Sequence, residues 1–111
     1  MEQTTALPGI GETTETTEEL VPQYNVVLLD DDEHTYEYVI EMLQKLFFYS
    51  KADAFRRAVE VDTTGRTIVL TCELSAAEFA RDQIHAFGAD PRMPKSKGSM
   101  KAIVEPAGGC A

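Results

Sequence analysis

The stretch Asn25-Val26-Val27-Leu28-Leu29-Asp30-Asp31-Asp32-Glu33-His34-Thr35-Tyr36-Glu37-Tyr38-Val39-Ile40-Glu41-Met42-Leu43-Gln44-Lys45-Leu46-Phe47 decides the fold. Its first five residues form a short, β-branched and aliphatic run with no polar alternation, the pattern of a buried strand, and the run stops at acids. Thr35 then opens a helix, because Tyr36, Val39, Ile40, Leu43, Leu46 and Phe47 recur at i, i+3, i+4 and i+7 and make one apolar stripe. The change of period across Asp30-Asp31-Asp32 places an acidic turn between a strand and a helix.

Downstream, Ser50 with Asp53 three residues on has capping-box spacing and starts a second helix. That helix carries Ala54, Phe55, Ala58, Val59 and Val61, and Thr63-Thr64-Gly65 stops it. Thr67 to Cys72 is a second strand. Ser75-Ala76-Ala77-Glu78 again has capping-box spacing and opens a third helix, with Ala77, Ala80, Ile84 and Phe87 inward and Gly88 as the stop. Residues 89–99, with two prolines and a glycine, read as a long solvated loop. Met100 to Glu105 is the last strand, closed by Pro106. The order βααβαβ predicts a small single α+β domain, three helices packed on a three-stranded antiparallel sheet.

Upstream the composition changes. The segment Glu12-Thr13-Thr14-Glu15-Thr16-Thr17-Glu18-Glu19-Leu20 has no Lys or Arg and almost nothing to bury, so residues 1–22 are expected to be a flexible acidic extension. Residues 23–107 form the core domain and 108–111 a short end. The net charge of −9 argues against a nucleic-acid surface and favours cationic partners. No apolar run is long enough to span a bilayer, and the start lacks the basic and apolar regions of a signal peptide. Cys72 and Cys110 make no ligand pattern and read as unpaired thiols of a reducing cytoplasm.

The acidic cluster admits several readings. It can be a solvated turn with Asp32 or Thr35 capping the next helix. It resembles the first acids of a response-regulator receiver, but the roughly ninety remaining residues cannot supply five βα units. Thr71 and Cys72 also stand where a phosphoacceptor would follow the second apolar strand. Asp30, Asp31, Asp32, Glu33 and Asp62 could supply oxygens for a divalent ion, although no EF-hand loop or HExxH accompanies them. His34 and His85 have no ligand-spaced partners. No arrangement for nucleophilic catalysis stands out, so the chain reads as a non-enzyme needing no cofactor.

The run from Tyr24 to Asp32, the segment Thr35 to Phe47, the stretch Val59 to Gly65 and the closing Ala102-Ile103-Val104-Glu105-Pro106 together resemble the core of the ClpS adaptor family, in order, from Tyr24 to Pro106. The resemblance implies a protein that grips the free N-terminus of N-degron substrates and delivers them to a Clp AAA+ unfoldase and its protease. It implies a monomer of the bacterial cytoplasm, or of an organelle descended from bacteria, with the N-terminal extension engaging the unfoldase. By the same resemblance, Asp30, Asp31 and Asp62 bind the substrate α-amine, and Asp32 and His34 meet the substrate backbone at the rim. Tyr36, Val39, Ala58, Val61 and Met100 line the side-chain pocket. Family members usually have Asn-Asp-Asp and a His where this chain has Asp30-Asp31-Asp32 and Asp62, and often Met at the positions of Tyr36 and Ala58. The third helix has Ser75 and Ala80 where docking residues are charged in familiar members. Three acids converging on an empty site would repel one another, and at least one would have a raised pKa. The runner-up reading is a small acidic metal-binding or receiver-like signalling domain.

Overall fold

The computed structural model describes residues 21–108, so the acidic segment 1–20 and Cys110 lie outside the described residues. The elements are β1 (Tyr24–Leu29), α1 (Tyr36–Phe47), α2 (Lys51–Thr64), β2 (Arg66–Cys72), α3 (Leu74–His85) and β3 (Ala102–Pro106). The order is the βααβαβ that the periodicities predict. The sheet runs β2-β1-β3 and is antiparallel on both sides of β1. In this central strand Val26, Val27 and Leu28 are all fully buried and show no alternation. Val26 and Leu28 meet Val39, Met42 and Leu43 of α1, Ala54 and Ala58 of α2, and Ala77, Ala80 and Ile84 of α3 in one core.

The end of β1 is pinned from both sides. The Leu29 N–H donates to the Lys101 carbonyl at 2.9 Å, and the Asp30 N–H donates to the Gly65 carbonyl at 3.0 Å. The three acids therefore leave the sheet between the C-terminus of α2, which carries Asp62, and the approach to β3, which carries Met100. No helix among the described residues is long and apolar enough to cross a membrane.

Several local expectations need correction. Ile68-Val69-Leu70 reads as a continuous apolar run, yet Thr67 and Val69 point inward while Ile68 is 40% exposed. The register slips between Val26, opposite Leu70, and Val27, opposite Ile68, leaving Val69 as the extra residue of a bulge. The Tyr49 hydroxyl donates to the Val69 carbonyl at 2.6 Å, which fastens this point of the bulged strand. Ser75 does not cap α3: Glu73 is the N-cap, without a side-chain bond, and the Ser75 hydroxyl donates to the Glu73 carboxylate at 2.8 Å. The helix ends at His85, with Gly88 in the left-handed region beyond it. Ser50 caps α2 through the Asp53 N–H, but the Asp53 carboxylate turns outward to Arg56 rather than closing the capping box.

The stop of α1 is unusual. Phe48 has φ 59°, the left-handed conformation that glycine occupies at most such ends, and it is 88% exposed. Its N–H and that of Tyr49 still close the turn onto Gln44 and Leu43. A side chain in this conformation costs roughly 1–2 kcal/mol, and no burial offsets it here. Phe48→Gly is expected to stabilise the fold by about 1 kcal/mol after glycine's extra chain entropy. Thermal unfolding should show a midpoint higher by about 4–8 °C; an unchanged or lower midpoint would refute the strain.

The basic loop between α3 and β3 is not simply solvated. Asp90, only 1% exposed, accepts from the Thr35 N–H at 2.7 Å and the Thr35 hydroxyl at 2.8 Å. It also accepts from the Arg92 N–H at 3.0 Å and its guanidinium at 3.3 Å. Arg92 reaches Glu41 of α1 at 2.6 Å, and the Tyr38 hydroxyl donates to the Gly88 carbonyl at 2.5 Å. The loop is thus fastened to the first half of α1, and this holds Met100 against the core.

Candidate functional site

A small cavity of about 40 Å³ opens where β1 ends. Asp30, Asp31, His34, Thr35 and Tyr36 line it from the acidic turn and the start of α1. Val39 comes from the next turn of α1, Ala58, Val61 and Asp62 from α2, and Met100 from the approach to β3. Nine of the ten residues expected at the site are therefore together. Asp32 is the exception: it is exposed and does not line the cavity. Val39, Ala58, Val61 and Met100 are buried and belong to the main core, so the apolar wall and the folding core share the same side chains. A larger open groove of about 540 Å³ runs along the outer face of α2 past Phe55, Arg56 and Val59, but it has no cluster of carboxylates.

Each acid at the mouth is differently placed. Asp31 Oδ1 accepts the Glu33 N–H at 2.9 Å, which fixes the turn, and lies 2.7 Å from His34 Nδ1. Asp62 Oδ2 accepts the Tyr36 hydroxyl at 2.6 Å. That bond draws the first residue of α1 toward the last turn of α2, and it pushes the Tyr36 phenol pKa up. The Tyr36 ring rests edge-on against Phe55, with centroids 6.0 Å apart. The cavity is small, and the half-buried Tyr36 forms part of its wall.

The Asp30 carboxyl is held above its ordinary range. Partial burial is the largest cause, and repulsion from Asp62, Asp31 and Asp32 adds to it, against an opposing hydrogen bond from the Asp31 backbone. Repulsion among the acids is thus present but second to desolvation. An acid whose folded pKa is raised costs stability above that value, and the cost vanishes below its unfolded value of about 3.8. Asp30→Asn should therefore raise the thermal midpoint at pH 7, and the gain should disappear as the pH is taken below 3.8. A variant less stable than the parent at pH 7 would contradict this.

Among the described residues, no three His, Cys, Asp or Glu side chains are arranged so that they could hold a metal ion. Two of the acids instead face internal partners, Asp31 with His34 and Asp62 with Tyr36. Cys72 is a partly buried free thiol away from the cavity, its pKa raised chiefly by burial.

Comparison with known protein families places the chain as a whole. Residues 19–94 match the family described as ATP-dependent Clp protease adaptor protein ClpS. The chain belongs to the ClpS family. Among its relatives, the ATP-dependent Clp protease adapter protein ClpS of a Synechococcus species is 32% identical over 78 residues, covering 69% of this chain and 86% of that one. The ClpS of Nautilia profundicola is 27% identical over 82 residues, 74% of this chain and 79% of its own. Agrobacterium tumefaciens ClpS2 bound to L-phenylalaninamide superposes with a TM-score of 0.66 at 26% identity, covering 77% of this chain and 96% of that one. As a ClpS, the chain is an adaptor of the Clp protease rather than an enzyme.

Sequence reasoning missed two residues that shape this ClpS site. Thr35 was expected only as a helix cap, yet it also lines the cavity. Asp90, which bonds Thr35 across the loop, lies in a stretch whose composition signals nothing but a turn, and no spacing rule connects residues 55 apart.

Proposed function

We propose that this ClpS binds the free α-amino group and the hydrophobic first side chain of N-degron substrates, and delivers them to a Clp AAA+ unfoldase. The observation that carries the proposal is one cavity with carboxylates at its mouth and buried apolar side chains at its wall. An ammonium presents three donors and a charge, which Asp30, Asp31 and Asp62 are suited to accept. Val39, Ala58, Val61 and Met100 would meet the side chain of residue one. The related ClpS2 carries L-phenylalaninamide, a free amine beside an apolar group, which supports the same chemistry here. The rim role goes to Asp32, acting from outside the cavity, whereas both ring nitrogens of His34 are engaged within the protein and it can serve the rim only through the groups it holds.

Tyr36 and the small cavity favour a short aliphatic residue one over a large aromatic one, whereas the additional carboxylates favour a basic one. The test is fluorescence anisotropy with labelled peptides differing only in residue one, each beside its N-acetylated form, with and without Mg²⁺. The expected result is saturable binding, strongest for Leu, Ile or Val, lost on acetylation and indifferent to metal. Equal affinity across the panel would remove the role of the pocket; binding that survives acetylation would remove amine capture.

A further inference from the structure

His34 is a member of the cavity lining whose two ring nitrogens both have partners within the protein. Its side chain is 3% exposed. Nε2 lies 2.7 Å from the Gly98 carbonyl oxygen, which can only accept, so Nε2 carries a hydrogen. Nδ1 lies 2.7 Å from Asp31 Oδ1, a carboxylate oxygen that already accepts the Glu33 N–H. A bare Nδ1 would set two lone pairs against each other at that distance, on a ring that is itself withdrawn from water although Asp31 remains about one-third exposed, at 34%. Both ring nitrogens are satisfied together when the ring is an imidazolium. The ring also packs on Tyr38, with centroids 4.5 Å apart, and an aromatic face favours a cation.

We infer that His34, held as an imidazolium between Asp31 and the Gly98 carbonyl, is a positioning residue that ties the amine-binding acid to the loop carrying Met100. The consequence for binding rests on the amine-capture reading above; the charge of the ring does not. One end of the ring fixes the carboxylate that meets the ammonium. The other fixes the loop two residues before Met100, the wall that meets the side chain. Loss of one proton leaves either Asp31 or Gly98 facing a lone pair, and one of the two anchors is released. The ionisable groups around the ring are Asp31 on the turn, Tyr38 of α1, and Asp90 with Arg92 in the loop. The Asp90 carboxylate is taken up by Thr35 and Arg92, and the Tyr38 hydroxyl by Gly88, which leaves Asp31 as the anion opposite the ring. Ser96 Oγ, 3.3 Å from Nε2, is the remaining polar neighbour.

The chain has two histidines, and the other serves as an internal reference. His85 Nε2 accepts the Ala102 N–H at 3.0 Å, so that ring is neutral. Nitrogen-15 spectra of the full chain labelled at histidine should show two protonated ring nitrogens on His34 at a pH where His85 shows one. In parallel, the affinity for a Leu-initiated peptide is compared between wild type and His34→Gln as the pH is raised. The peptide's own amine titrates identically in both arms and cancels from their ratio. The variant should bind about tenfold more weakly while the wild-type ring is charged, and the two should converge as the spectrum shows His34 losing its second proton. A single ring proton on His34 overturns the inference whether or not peptides bind, and it does not depend on the variant folding. Equal affinity of the two proteins at every pH overturns the positioning role and leaves amine capture standing. Binding by neither protein removes amine capture and the positioning role with it, while the spectrum still decides the charge.

Discussion

Replacing Asp31 with alanine is expected to weaken binding of a free N-terminal peptide by about a hundredfold, the larger of the effects predicted at the site. Three observations single out Asp31 among the acids. Its Oδ1 is fixed by the Glu33 N–H and by His34, which leaves Oδ2 to face an incoming donor. Asp62 is committed to the Tyr36 hydroxyl, and Asp30 has its charged form disfavoured by burial and by its neighbours. Asp31 is thus the carboxylate that offers an oriented charge without first giving up an internal bond. A hundredfold is about 2.7 kcal/mol, within the range for removing one member of a hydrogen-bonded charge pair. Anisotropy with a Leu-initiated peptide measures it, and thermal unfolding of the same sample shows that the variant is folded. A loss of less than threefold would move the amine to Asp30 or Asp62.

The second large effect is on stability. Asp90→Ala should cost about 3 kcal/mol, because it strips four hydrogen bonds from a buried carboxylate and leaves the Thr35 and Arg92 N–H groups without their acceptor. The loss would be a large share of the 5–15 kcal/mol typical of a small domain. It should appear as a fall of ten degrees or more in the thermal midpoint. Acid titration provides a separate check with a defined sign. Burial is the largest influence on Asp90 and pushes its pKa up, but the bonds from Arg92 and Thr35 together outweigh it and hold the carboxyl below its ordinary value of 3.8. A depressed acid contributes its full stability above the unfolded value and loses it as the pH falls through the folded one. The gap between parent and Asp90→Ala should therefore be constant near neutrality and narrow below pH 3.8. A variant within 1 kcal/mol of the parent at pH 7 would show that the loop is held by other contacts.

The two cases differ in how far the sequence made them legible. The acidic turn that holds Asp31 could be read from the linear chain, because a strand that ends in acids just before a capped helix displays those acids at the sheet's end whatever the rest of the chain does; the role of Asp31 itself came only from the resemblance to the ClpS family. Asp90 could not, since its role depends on Thr35 arriving from the opposite end of the domain. Pocket membership had an intermediate status. Val39, Ala58 and Val61 lie at helical spacing that fits a core as well as a pocket, and they are both, which periodicity cannot separate. The false start at Ser75 has a similar origin: the spacing of a capping box was present, but the N-cap is Glu73, two residues earlier, and its carboxylate takes the Ser75 hydroxyl.

By itself the sequence determined the order of elements, a buried first strand, the acidic turn and a resemblance to the ClpS family. Those follow from local period, composition and motif, which a chain carries wherever its parts end up in space. Only the tertiary structure decided that Asp62 bonds Tyr36, that Asp90 anchors the loop, that β2 bulges at Val69, and that both nitrogens of His34 are taken. Each of these joins residues distant in sequence or turns on a slip of register. A hydrogen bond between such groups exists only after the core of β1, α1, α2 and α3 has fixed the backbone positions on either side.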